Sequence, residues 1–470
     1  MADPDVVVVG SGPNGLVAAV ELAGAGRRVL VVEAAPTPGG GARSQELLRP
    51  GVVHDVCATI HALALGSPAL RDLPLAEHGL RWIQPDIPLA HVLDGGRRAL
   101  LCRSLEDTAT GLGADAGRYR RRFGPLVRAG FAVTDQVLSP LSIPRRPWAL
   151  ARFGLTGIRP ATMVPFATED GAGLFAGLAA HSILSLRAPT TAGYALMLGA
   201  LAHTVGWPFA AGGSQRLVDA LVRLLEARGG AIECGRTVRS VDELPNGADV
   251  VFDLTPRQVL ALAGDRLPSR YRRRLRRFRS GPGVHKVDWI LHAPIPWTAP
   301  DVALAGTVHV GGSAAEVVAA EADVQRGRHP ERPFVLVAQP TQFDADRAPV
   351  GVHVAWGYCH VPNGSTVDMT AAIEAQIERF APGFRDLIVD RHVMGPVALE
   401  RYNANYLGGD ISGGRGDLRQ FVARPVLGLH PWRMPAERLF MCSASTPPGA
   451  GVHGMGGHHA AREVLATHHR

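Results

Sequence analysis

Gly10, Gly12 and Gly15 follow the order Gly-x-Gly-x-x-Gly directly after the apolar run Val6–Val9, and Glu33 closes a second apolar run about twenty residues later. Gly10 permits a tight turn, and Gly12 lets backbone approach a pyrophosphate. Gly15 lets the following helix pack close on the strand, with Pro13 and Asn14 completing the loop. The free N–H groups and positive end of that helix favour an anion. A carboxylate at position 33 accepts hydrogen bonds from ribose hydroxyls. The chemistry expected is dinucleotide binding. A plain glycine-rich turn is the weaker reading, because strand, helix and acid all stand where the motif needs them.

A second glycine cluster, Gly39-Gly40-Gly41, follows soon after Glu33 and is closed by Ala42 and Arg43. It lets another loop approach the same ligand, and the Arg43 guanidinium suits a pyrophosphate. Near the C-terminus, Leu439–Ser443 reads as a strand. A Gly/Pro turn carrying Gly451, Val452 and His453 follows, and a helix begins near Met455, again aiming backbone N–H groups at an anion.

These segments must be positioned by a parallel sheet, for which a fully apolar Val6–Val9 is the expected strand type. A chain of 470 residues is too long for one core. The fold class expected is α/β, a Rossmann-type domain assembled from discontinuous pieces with an inserted α+β domain. The nucleotide-binding domain takes residues 1–75, 205–285 and 425–470. The substrate-binding domain takes 76–204, mainly helical with Pro-rich joints at Pro140–Pro147 and Pro160–Pro165, and 286–424. In the latter, strands are expected at Val287–Leu291, Phe334–Ala338 and His353–Tyr358, and a helix near Ala371–Phe380.

With 46% hydrophobic and 19% charged residues the chain reads as globular. No apolar run reaches the roughly 18 residues of a membrane span, and no signal peptide is read at the start. A cytoplasmic location is expected. The net charge of +7 is carried almost wholly by arginine, Lys286 being the sole lysine. Its densest cluster, Arg266–Arg279, reads first as a solvated helix face and second as a peripheral anchor to anionic lipid. Aromatic interleaving for nucleic-acid stacking is lacking. Cys57, Cys102, Cys234, Cys359 and Cys442 are isolated, so dithiol redox chemistry is excluded, and no metal site is expected. Among the histidines, His453 and His458 crowd the C-terminal turn and His61 follows the glycine cluster, so each is a candidate cavity residue. His468 and His469 read as a solvated tail.

The pattern of Glu33, a glycine pair and then Arg43 resembles flavoproteins of the amine oxidase and phytoene desaturase superfamily. Gly41 departs from it, standing where an arginine is common. The segments Pro208…Gly212-Gly213…Leu217, with the helix Leu217–Arg228, and Trp356–Pro362, Gln376–Phe384 and Glu400–Pro425 are similar to the phytoene dehydrogenase-related group. That resemblance implies FAD as cofactor, with Val238 laying backbone against the adenine. It also implies that residues 452–457 stabilise the negative charge a flavin gains on reduction. The activity implied is FAD-dependent oxidation of a small apolar, polyene or isoprenoid substrate by hydride removal. No second Gly-x-Gly-x-x-Gly is read directly after a strand, so oxygen or a quinone is the expected electron acceptor. Two rivals remain: a flavin amine oxidase, whose aromatic pair is not found among 7 Trp and 6 Tyr, and a flavin-binding scaffold without turnover. Substrate, catalytic acid or base and oligomeric state are not legible.

Overall fold

The computed structural model describes residues 3–140 and 146–468. The middle of the Pro140–Pro147 joint and His469 lie outside the described residues.

Five strands form a wholly parallel sheet in the order Leu439–Met441, Asp249–Phe252, Val6–Val9, Val29–Val32, Ala231–Glu233. Strand residues alternate between faces, and here both faces are buried. Val6, Val8, Val29, Val31, Val251 and Phe440 enter one core. Val7, Val9, Val32, Val250, Phe252 and Met441 enter the other. The first face is covered by the helix Pro13–Gly24, by Gln215–Ala227 and by Met455–His468. Gln215–Ala227 turns Leu217, Val218, Leu221, Leu224 and Leu225 inward at helical spacing. The opening and closing helices touch through glycine, since a Cβ on Gly457 would overlap the Asn14 carbonyl oxygen.

A second sheet of seven strands is mostly antiparallel. Its order is Ile388–Met394, Gly283–Leu291, His353–Val361, Val335–Ala338, Ala305–Val310, Ile87–Leu93, Arg97–Leu101. Both inserted stretches of chain contribute strands to it, and the helices Ala116–Ala129, Glu169–Ala180 and Thr191–Thr204 pack with it around a further core. A short pairing of Trp82–Ile83 with Phe209–Ala210 links the two halves.

Buried ions also tie the halves together. Arg347, fully buried, donates to Asp55 Oδ2 at 2.6 Å and to Asp344 Oδ2 at 3.0 Å. Asp55 also accepts from Ser44 Oγ at 2.6 Å and from the Ser214 N–H at 2.8 Å, and Asp344 accepts from the Gly212 N–H at 2.7 Å. Burial opposes ionisation of Asp55, but the Arg347 charge and these donors hold its carboxyl below the usual value.

The arginine cluster falls around the short helix Ser269–Leu275, where Arg266 pairs with Asp242, Arg272 with Asp265 and Arg279 with Asp417. No helix among the described residues is long and apolar enough to cross a membrane.

Candidate functional site

A cavity of about 830 Å³ runs between the two sheets. Its floor is the carboxyl end of the parallel strands, where ligands bind in open α/β sheets. Gly10 makes the turn after Val9 with a φ of +99°, a conformation L side chains rarely adopt. The helix then starts at Pro13, which has no N–H to leave unpaired. Glu33 is held firmly in place. Its Oε2 accepts from the Ser11 N–H at 2.9 Å and Ser11 Oγ at 2.6 Å, and its Oε1 accepts from the Ala35 N–H at 2.8 Å. Arg236, Thr237 and Val238 line the cavity beyond it.

The second glycine cluster packs on the first, with the Gly39 N–H donating to the Ser11 carbonyl at 3.0 Å. Arg43 is only 5% exposed, donates from Nε to the Gly40 carbonyl at 3.0 Å, and lies 4.5 Å over the Tyr402 ring. It lines the cavity yet forms no ion pair with any described carboxylate. A buried arginine without a counter-ion is costly unless an anion joins it. Gly41, where the resembling family often has arginine, is explained by Tyr406, whose hydroxyl oxygen fills the space a Cβ would need.

Ala444, Ser445, Ala450, Gly451 and Val452 line the other end. Their turn is shaped by Arg424, fixed from Nε to the Ala444 carbonyl at 2.9 Å and from Nη2 to the Ser412 and Gly413 carbonyls at 3.0 Å. Two sequence expectations are corrected here. His453 and Met455 lie behind the cavity wall, not on it, because His453 Nδ1 accepts the Met455 N–H at 3.0 Å and its Nε2 meets the Gly449 carbonyl at 3.1 Å. Burial pushes the His453 imidazole down to about 4, so it stays neutral in this role.

His458 and His61 also point elsewhere. His458 meets Glu21 Oε1 at 2.7 Å on the outer side of the helix pair, and His61 meets Ser214 Oγ at 2.8 Å. The terminal His468 is tied to Asp249 Oδ2 at 2.5 Å. Gly10, Gly12, Pro13, Asn14, Glu33, Gly40, Gly41, Arg43, Val238, Gly451 and Val452 all line the one cavity. Gly15 lies just beneath, where a Cβ would overlap the Gly10 carbonyl oxygen.

The roof comes from the second sheet. Trp356 and Tyr358 project from the same face of one strand, 6.1 Å apart and 8° from parallel. Sequence reading located no aromatic pair, although two residues apart on a strand is the spacing that puts rings side by side. Trp207, Leu198, Ile183, Ile60 and Leu63 extend the apolar wall. His181 joins it with Nε2 on His309 Nε2 at 2.9 Å, and burial drives His181 down to about 3, so it is neutral. Beside the rings, on the neighbouring strand, Lys286 is buried, pairs with Asp288, and lies 5.7 Å over the Trp356 ring.

The only cavity-lining carboxylates among the described residues are Glu33 and Asp253, both beside the loop Gly10–Gly15. Sequence reading missed Asp253. Its signal was position, directly after a central parallel strand.

A dinucleotide fits these residues: a glycine cradle, an anchored ribose acceptor, an unpaired arginine, and an Asn14 Oδ1 that is buried without a partner.

The nucleotide-binding architecture is decided by residues 8–73. They match the NAD(P)-binding Rossmann-like domain. Along the whole chain, the rat pyridine nucleotide-disulfide oxidoreductase domain-containing protein 2 is 26% identical over 98% of this chain and 93% of its own length. A limonene dehydrogenase component of Castellaniella defragrans is 31% identical, over 29% of this chain and 24% of its own. Among solved structures, a putrescine oxidase variant redesigned for cofactor binding superposes with a TM-score of 0.64, at 18% identity and 99% coverage of both chains. The fold is thus a mixed α/β architecture that oxidoreductases share.

Proposed function

We propose that this chain is an FAD-dependent oxidoreductase that removes hydride from a small apolar substrate. The observation carrying the cofactor half is Arg43, buried in the cavity between two glycine loops with no carboxylate to neutralise it. Val238, Glu33, Gly12, Asn14 and Arg43 would hold the dinucleotide, and FAD supplies the hydride acceptor when bound. Ala444, Ser445, Gly451 and Val452 border the far end of the same cavity.

The apolar-substrate half rests on the wall facing that end. Trp356, Tyr358, Trp207, Leu198 and Ile60 offer flat and aliphatic surface without a carboxylate. Such a wall excludes water and orients a hydrocarbon by contact alone. The partial likeness to a component of limonene dehydrogenase, an enzyme named for an apolar hydrocarbon, supports this reading. Oxygen or a quinone is the electron acceptor proposed.

The fold likeness to a putrescine oxidase favours a second reading, oxidation of an amine. Two features of the cavity weigh against it. An ammonium group would find no acid lining the cavity on the aromatic side, since Asp288 beside Trp356 is already paired with Lys286. An alkyl chain between two ring faces needs about 7 Å, twice a carbon–carbon contact, and Trp356 and Tyr358 stand 6.1 Å apart. The test is anaerobic mixing of the purified protein with terpenes, carotenoids and aliphatic amines. Bleaching of flavin absorbance near about 450 nm by an apolar compound is expected. Bleaching by amines alone moves the reading to the amine oxidase. A protein that binds no flavin ends both.

A further inference from the structure

The Asp253 side chain stands where the dinucleotide phosphates are expected. Its Oδ2 accepts the Gly15 N–H at 3.1 Å, one of the donors at the start of the helix Pro13–Gly24. The same oxygen covers Gly12 so closely that a Cβ there would overlap it, and lies 3.1 Å from where a Gly15 Cβ would stand. The strand end holds it in place, since the Asp253 N–H donates to the Val9 carbonyl at 2.9 Å and its own carbonyl accepts Asn405 Nδ2 at 3.0 Å. In effect the protein's own carboxylate sits in the anion cradle.

The surroundings make that carboxylate expensive to keep charged. The side chain is 5% exposed. Glu33 acts on it from the end of Val29–Val32, the next strand but one, and the Cys442 thiol from the other side, while the loop Gly10–Gly15 offers only backbone N–H groups. No arginine, lysine or histidine among the described residues forms an ion pair with it. Burial above all, with Glu33 adding to it, pushes the Asp253 carboxyl up to about 7. A dinucleotide pyrophosphate placed over Gly12 adds further negative charge at close range.

We infer that dinucleotide binding to this chain is coupled to the uptake of one proton by Asp253, which changes from a carboxylate occupying the phosphate cradle to a neutral carboxylic acid that can donate to a phosphate oxygen. The proton comes from solvent and no other bond changes. Below the carboxyl's transition the acid form is already present and affinity is independent of pH. Above it, each pH unit removes tenfold of the competent form, so affinity falls about tenfold per unit.

This inference rests on the FAD reading above, and the test separates the two. The full chain, stripped of cofactor, is titrated with FAD from about pH 6 to pH 9, and Kd is read from quenching of flavin fluorescence. For the native chain Kd is expected to be flat at the acid end and to rise roughly a hundredfold over the two units above the transition. Asp253→Asn, which keeps size and removes the charge, is expected to hold the acid-end affinity across the range. Native chain and variant both binding with the same flat profile would overturn the coupling while leaving the cofactor in place. Failure of the native chain to bind FAD at any pH would overturn coupling and cofactor together. Should the variant not fold, calorimetry of the native chain in two buffers of different ionisation enthalpy reads the proton directly. About one proton taken up near pH 8 is expected, and none would refute the inference.

Discussion

Arg347→Met removes the only cation from the buried network that joins the two halves of the molecule. The Asp55 side chain is fully buried and that of Asp344 is 2% exposed. Neither can relax into water without opening the packing around Ser44 and Gly212. The cheapest escape is for a carboxylate to take up a proton. From an ordinary carboxylate value, that costs about 4 kcal/mol at pH 7, at 1.36 kcal/mol per unit. Breaking a buried pair from one side costs a similar 3–5 kcal/mol. Hydrogen bonds from Ser44, Ser214 and Gly212 remain, so the loss is set near 4 kcal/mol and not higher.

The pH dependence gives the sharper test. In the native chain Asp55 sits below its ordinary value, so its contribution is present at neutral pH and is lost only as the pH falls through that lowered value. In the variant, burial without Arg347 raises the same carboxyl, so the variant is least stable at high pH and recovers on acidification. At about pH 5 the proton costs only about 1.5 kcal/mol, and the gap between the chains should narrow accordingly. Urea unfolding followed by far-ultraviolet circular dichroism at several pH values measures both. A deficit under about 1 kcal/mol at pH 7, or one that widens on acidification, refutes the reasoning.

Gly12→Asp should leave the protein folded but colourless, because a second carboxylate would join Asp253 over the phosphate path; the ratio of flavin to protein absorbance checks this, and normal flavin content would show the phosphates lie elsewhere. Gly41→Ala should lose about 1–3 kcal/mol from the clash with the Tyr406 hydroxyl. Adding Tyr406→Phe should restore most of it, since the ring carbon left behind is 3.2 Å from the new methyl position; equal melting temperatures for the single and double variants would contradict this.

The parallel sheet could be read from sequence because both its faces are buried, which writes Val6–Val9 as an unbroken apolar run. The glycine turn Gly10–Gly15 was legible because its conformation and close packing demand glycine at fixed steps. The helix expected at Leu217–Arg228 is Gln215–Ala227, and the strand expected at Leu439–Ser443 stops at Met441, the usual slack at element ends. What could not be read is what the two halves do to each other. Trp356 and Tyr358 meet the phosphate-loop domain only through a sheet built from distant stretches, so nothing near them in sequence announces a cavity. His453 misled for a local reason. A histidine beside a helix start can cap the helix as easily as face a ligand, and here its Nδ1 takes the first N–H. Asp253 was overlooked because no motif used in the sequence reading calls for an acid after the strand Asp249–Phe252.

The contact between Glu21 and His458 spans 437 residues, and Gly457 presses on Asn14 beside it. During synthesis, the opening strand and loop must therefore wait for nearly the whole chain before their last neighbours arrive. Until then, the side of the helix Pro13–Gly24 that Met455–His468 covers stays open. Long-range closure of this kind is slow and leaves sticky surface open meanwhile.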